Sequence, residues 1–91
     1  PVVVWGAGPV GKAWSRALRA AGHELRAFVE VDPRKVGGRL HGVPVVAVSE
    51  AGAERGPLHL AAVGQKGARE RIRAEAARLG LLDGEDLIAV A

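Results

Sequence analysis

An α/β domain with a mostly parallel sheet is the fold class this sequence predicts, and three observations predict it. Short apolar runs alternate with stretches of helical spacing along the whole chain, the pattern left by right-handed strand-helix-strand crossovers. The first run, Val2–Trp5, is apolar at every position, as expected of a strand covered on both faces. It leads directly into Gly6-Ala7-Gly8-Pro9-Val10-Gly11, the G-x-G-x-x-G spacing of a phosphate-binding turn between a strand and a helix.

The elements follow in order. Pro9 suits the first turn of a helix, where its missing N–H costs little. Val10, Ala13, Trp14, Ala17, Leu18 and Ala21 recur at helical spacing and predict the inner face, with Lys12, Arg16 and Arg19 toward solvent. Gly22 is a suitable terminator. Leu25–Val31 reads as a second strand, ended by Asp32-Pro33. Residues 34–43 hold Gly37, Gly38 and Gly42 and read as a loop with room for a small hairpin. Val43–Val48 reads as a third strand, placed at an edge by Pro44, and Ser49 is a candidate cap for a short helix over residues 50–54. Leu58–Val63 is a fourth strand. A helix beginning near Gly67 turns Ala68, Ile72, Ala76 and Leu79 inward and ends at Gly80, and Leu87–Val90 is the last strand. The expected spatial order is 3-2-1-4-5, a single Rossmann-like domain over residues 1–91.

Composition limits the function classes. Ninety-one residues with 48% apolar content support one modest core, burying roughly 60–65% of the unfolded surface. There is no Cys, which removes disulfides and thiolate metal sites. His23, His41 and His59 lack metal-ligand spacing, so no metal site is expected. The net charge of +3 is spread along helices rather than clustered, so no nucleic-acid partner is expected. No run approaches the length of a membrane span, no signal pattern is present, and a cytoplasmic location is the default. Met is absent and the first strand starts at residue 2, so the chain is expected to be a module of a longer protein.

The candidate site follows from the predicted strand order. Ligands of such sheets bind beyond the carboxyl ends of the strands, where the order reverses, which here lies between strands one and four. Gly6, Ala7, Gly8, Pro9, Val10 and Gly11 border it on one side; Gly64 and Lys66, near the start of the later helix, border it on the other. Gly6 would allow the tight turn, Gly8 the approach of a pyrophosphate, and Gly11 close packing of the helix on the strand. Glu30 and Asp32 end strand two, where an acid commonly holds ribose hydroxyls. Glu30 is the better aligned, and Asp32 is equally suited to capping the turn at Pro33. Lys66 and Arg69 could meet a second phosphate or a sugar at the helix start; exposed cations are the simpler reading.

Catalysis finds little support. Gly6–Lys12 also fits G-x-x-x-x-G-K, but Ala13 stands where the Mg²⁺-binding hydroxyl belongs. There is no Tyr for a Tyr-Lys dehydrogenase site, and Ser15 and Ser49 have no evident His or Asp partners. No catalytic residue is assigned.

The stretches W-G-A-G-P-V-G-K, A-F-V-E-V-D-P-R-K-V-G, H-G-V-P-V and A-A-V-G-Q-K-G-A-R, taken in this order, resemble the small Rossmann-like domains of bacterial sugar-modifying enzymes. One such group stands at the N-terminus of left-handed-helix sugar O- or N-acyltransferases; another is a C-terminal module of some family 2 glycosyltransferases. The resemblance spans nearly the whole chain. It implies a domain that binds a UDP-type nucleotide-sugar while catalysis happens elsewhere in a transferase. It also implies that Gly6, Gly8 and Gly11 lie along the nucleotide and sugar, that the acidic end of strand two reaches the nucleotide, and that Gly64 borders the sugar. Members often carry Asp where this chain has Glu30. The alternatives are the NAD-binding half of an oxidoreductase and a non-binding structural or dimerisation module. The expected partners are a small-molecule nucleotide ligand and the rest of the parent protein, and the sequence is compatible with a homo-oligomer.

Overall fold

Val2–Trp5 forms strand β1 at the centre of the sheet, with each of its residues at most 5% exposed. The structure, a computed structural model, describes residues 1–52 and 56–90. The remaining elements are α1 (Pro9–Ala20), β2 (Leu25–Glu30), a 3-10 turn (Pro33–Lys35), β3 (Arg39–Leu40), β4 (Val43–Ala47), α2 (Val48–Ala51), β5 (Leu58–Ala61), α3 (Lys66–Arg78) and β6 (Leu87–Ala89). The sheet order is β3-β4-β2-β1-β5-β6. All pairs are parallel except β3 with β4. The five principal strands take the expected order; the difference is β3, which adds an outer antiparallel strand beside β4.

Alternation along the strands divides the core into two layers. Val3, Trp5 and Val29 face one side and pack with Ile72 and Ala76 of α3, together with Leu81 and Leu87. Val2, Val4, Phe28 and Val45 face the other and pack with Val10, Trp14 and Leu18 of α1. Fully burying a side chain such as Ile72 contributes about 1.5–3 kcal/mol, so the inward row of α3 is what fixes this helix over β1.

Four expectations need correction. First, α1 sits one residue out of the expected phase. Ala13, Ala17 and Ala21 are exposed, while Gly11 and Ser15 are buried beside half-buried Trp14 and Leu18. Ala is small enough for either face, so the larger Trp14 and Leu18 set the rotation. The Ser15 hydroxyl is satisfied by donating to the Lys12 carbonyl at 2.8 Å. Second, Pro44 is not on an edge strand: β4 lies between β3 and β2. The Val45 N–H points to Gly38 O on the β3 side, so by alternation the position of the missing Pro44 N–H points toward β2. Pairing with β2 starts only at Val45, and no ladder bond is lost. Third, the short helix starts at Val48 with Ala47 as its cap and no side-chain cap bond, so Ser49 is inside it; residues 53 and 54 of the expected range lie outside the described residues. Fourth, the strands are shorter at their carboxyl ends: Val31, Val48, Val63 and Val90 lie just beyond them.

The hairpin forms as a two-residue connection. Leu40 pairs with Val43, and His41 (φ 51°) and Gly42 (φ 80°) both have positive φ, as a type I′ turn requires. His41 tolerates this conformation because its ring is held: Nδ1 lies 2.6 Å from Ser15 Oγ and the ring meets Phe28 edge-on at 6.1 Å.

Inside the sheet, Trp5 Nε1–H donates to His59 Nδ1 at 2.9 Å, with both residues fully buried. Acceptance at Nδ1 requires that nitrogen to be unprotonated. Trp5→Phe removes the donor and part of the ring volume together, and should cost about 2–4 kcal/mol. Urea unfolding followed by circular dichroism reads the loss. A midpoint equal to wild type would mean the bond and the packing contribute nothing.

Candidate functional site

The turn between β1 and α1 is built by two close approaches. Gly6 has φ +111°, and a Cβ there would lie 2.8 Å from both Ala62 O and Val63 Cγ1. Only glycine combines that backbone with that contact. A Cβ on Gly11 would stand 1.8 Å from Gly6 O, so α1 can approach the turn only because Gly11 lacks one. Gly8 differs from both. It is extended, caps α1, and a Cβ there would meet nothing within 4 Å. The three glycines therefore divide into two that hold the turn and one that leaves room.

Pro9 occupies the first turn of α1 and brings no N–H. The first intrahelical bond is from Lys12 N–H to Gly8 O at 2.9 Å. The N–H groups of Val10 and Gly11 therefore head a helix dipole, the arrangement that attracts anions.

A cleft of about 350 Å³ opens beside this turn, within the size range of small-ligand sites. Gly6, Gly8, Pro9 and Val10 form one wall and Gly64 and Gln65 another, with Ala68 and Ile72 of α3 behind. It lies at the carboxyl ends of β1, β2 and β5, where the strand order reverses. Glu30 closes the β2 side, only 8% exposed, and its Oε2 accepts the Ala7 N–H at 3.4 Å. That bond is long, and no ion pair of Glu30 is present among the described residues.

Most of the sequence-predicted residues meet here. Gly6, Gly8, Pro9, Val10, Glu30 and Gly64 line the cleft, Ala7 reaches it through Glu30, and Gly11 supports it from behind. Asp32 does not line it. Its carboxylate caps the 3-10 turn, accepting from the Arg34 backbone N–H at 3.0 Å and from the Arg34 guanidinium at 3.0 and 3.1 Å. Lys66 opens α3, and its side chain lies outside the described residues. Arg69 is half-buried, and its Nε is buried with no hydrogen-bond partner among the described residues. Sequence reasoning missed Val31, Lys35, Val63 and Ile72 as lining residues. Val31 and Val63 could have been found as the last residues of the second and fourth predicted strands, at the carboxyl ends where such sheets bind ligands.

The capping role of Asp32 makes a pH prediction. The side-chain bond from Arg34, and then the backbone bond from the same residue, hold its pKa below the ordinary 3.8. A lowered native value means that the contribution is full above the unfolded pKa and disappears as pH falls through the native one. The Arg34 amide resonance should therefore titrate with a midpoint below 3.8, and a midpoint at or above it would contradict the cap.

One sequence reading is overturned: Ser15 does have a His partner. The contact with His41 is nevertheless not a nucleophile-base pair. Ser15 is fully buried, and its Oγ lies within hydrogen-bond distance of both Lys12 O and His41 Nδ1, so no substrate can reach it. Neither residue lines the cleft. Among the described residues no three His, Cys, Asp or Glu gather as a metal site, and no helix is long and apolar enough to cross a membrane.

Fold and cleft together define the class: a single α/β domain of Rossmann-like form, with a glycine turn and a helix N-terminus facing a crevice at the switch point of its sheet. No family model matches the chain, and no curated protein does. Solved structures do. UDP-D-quinovosamine 4-dehydrogenase from Vibrio fischeri is 20% identical, with a TM-score of 0.76 over 99% of this chain and 76% of its own. The Rex-family repressor RSP is 17% identical, with a TM-score of 0.70 over 97% of this chain; it has also been solved with NAD⁺ and operator DNA, and with NADH. A mutant of perosamine N-acetyltransferase from Caulobacter crescentus, in complex with CoA and GDP-perosamine, is 30% identical with a TM-score of 0.65 over 90% of this chain. The chain spans 50% of the repressor and 40% of the acetyltransferase.

Proposed function

We propose that this chain is a nucleotide-sugar-binding module of a bacterial glycosyltransferase or sugar acyltransferase. It holds the nucleotide without performing chemistry, which belongs to the rest of a cytoplasmic parent transferase. The observation that carries this reading is the open space at Gly8, at the head of α1 and facing a cleft closed by the buried carboxylate of Glu30. A diphosphate lies along Gly8 and the N–H groups of Val10 and Gly11, and Glu30 accepts from the ribose hydroxyls. Ala7 and Pro9 shape the turn, Gly64 and Lys66 lie on the side of the sugar, and Asp32 supports the loop after β2 through its cap. The similarity to the acetyltransferase solved with GDP-perosamine supports a sugar nucleotide over a dinucleotide.

A second reading, the NAD-binding half of an oxidoreductase, uses the same Glu30, since an acid at this strand end suits a ribose diol in either ligand. Thermal melting with UDP-glucose, GDP-mannose, NAD⁺, NADH, UMP and GMP separates the two. Stabilisation by a sugar nucleotide alone is the expected result, and stabilisation by NAD⁺ or NADH alone replaces the first reading with the second. No response at millimolar concentration overturns both and leaves a structural or dimerising module.

A further inference from the structure

A second cleft of about 300 Å³ opens beside the first, over the carboxyl end of β4. Glu30 and Val31 line both clefts, so the buried carboxylate stands on the wall between them. Pro33, Val36 and Val48 give the second cleft apolar surface, while Ser49, Arg71 and Glu75 give it polar groups. The switch-point crevice, where ligands of such sheets bind, is the first cleft.

We infer that the second cleft is the nucleobase subsite, an assignment that rests on the nucleotide reading above. The strand order β4-β2-β1-β5 supplies the direction. The diphosphate lies over the end of β1, at the head of α1, and the ribose lies at Glu30, the last residue of β2. Continuing away from the phosphates along the same line leads to β4. Two strand spacings amount to about 10 Å, which suits the reach of a nucleotide from phosphate to base. The distal sugar then turns the other way, toward Gly64 and Gln65 in the first cleft.

The lining chemistry agrees. A base needs an apolar face and a few acceptors and donors at its edge. Pro33, Val36 and Val48 supply the face. Arg71 is anchored by donating through Nη2 to Val31 O at 3.1 Å, and a guanidinium has further N–H donors for ring carbonyls. Glu75 stands one turn further along α3, its Oε1 accepting from Arg78 at 2.9 Å, and a carboxylate has further acceptor capacity for ring N–H groups.

The test uses the wild-type chain with UDP and GDP as probes. Intermolecular NOEs from the uracil H5 and H6 or the guanine H8 should reach the methyl groups of Val36 and Val48. NOEs from these protons to Val63 and Ala68 instead would place the base in the first cleft and overturn the assignment. Ser49→Trp, at an exposed position of α2, should fill the second cleft and weaken UDP binding by about tenfold or more. An unchanged UDP affinity in a variant that melts like wild type also overturns it. If neither UDP nor GDP shifts any amide of the wild-type chain at millimolar concentration, the nucleotide reading has failed first and this assignment fails with it.

Discussion

Gly11→Ala should abolish the native turn. Its Cβ would stand 1.8 Å from Gly6 O and 2.8 Å from Gly6 C, and both are backbone atoms with no rotamer to escape into. Gly6 is itself closely packed, since a Cβ there would lie 2.8 Å from Ala62 O and Val63 Cγ1. Either α1 moves off the sheet, giving up the packing of Trp14 and Leu18, or the turn is rebuilt. Overpacking against backbone of this kind should cost about 3 kcal/mol or more. A domain of this length has roughly 5–14 kcal/mol in total, and the melting midpoint should fall by roughly 12–24 °C. A fall of less than about 4 °C, under one kcal/mol, would mean that α1 does not pack as described.

Gly8→Val should do the opposite: keep the fold and remove the ligand. The backbone there is extended, with φ −85° and ψ −167°, which a β-branched residue accepts. No neighbour lies within 4 Å of its Cβ, so stability should change by about 1 kcal/mol at most, the cost of a poorer helix cap. The isopropyl group would occupy the place assigned to the diphosphate, and affinity for a sugar nucleotide should fall by about 100-fold or more. Calorimetric titration measures it. Unchanged binding in the folded variant would mean that the ligand does not pass over Gly8. The contrast is informative because two glycines three residues apart in one motif should fail in different ways, one in stability and one in recognition.

The sheet order and the position of the crevice were legible in the sequence because they depend on apolar runs and glycine spacing, which burial dictates directly. Glu30 was legible as well, through its distance from the turn. What was not legible depended on contacts between remote segments. The rotation of α1 was not legible, because Ala13, Ala17 and Ala21 look like an inner face, whereas Ser15 is inside with its hydroxyl beside Lys12 O. The partnership of Ser15 with His41 depends on a hairpin turn made by His-Gly rather than the usual Asn-Gly. Pro44 suggested an edge, and two residues of β3 cover that edge. Asp32 had two readings in the sequence, and the geometry of Arg34 shows it as a cap. Lys35 and Ile72 look like an ordinary loop cation and an ordinary core residue, and only the folded chain brings them to the cleft.

The central claim is that the turn at Gly6–Gly11 and the carboxylate of Glu30 together hold a nucleotide diphosphate. The most direct measurement is a titration of the isotopically labelled chain with UDP-glucose and GDP-mannose, following the backbone amides. With at least one of them, Ala7, Gly8, Val10, Gly11 and Glu30 should shift saturably and together, Ala7 included because its N–H now rests on Glu30. Saturable shifts confined to other surfaces, or no shift with either ligand at millimolar concentration, would contradict the claim.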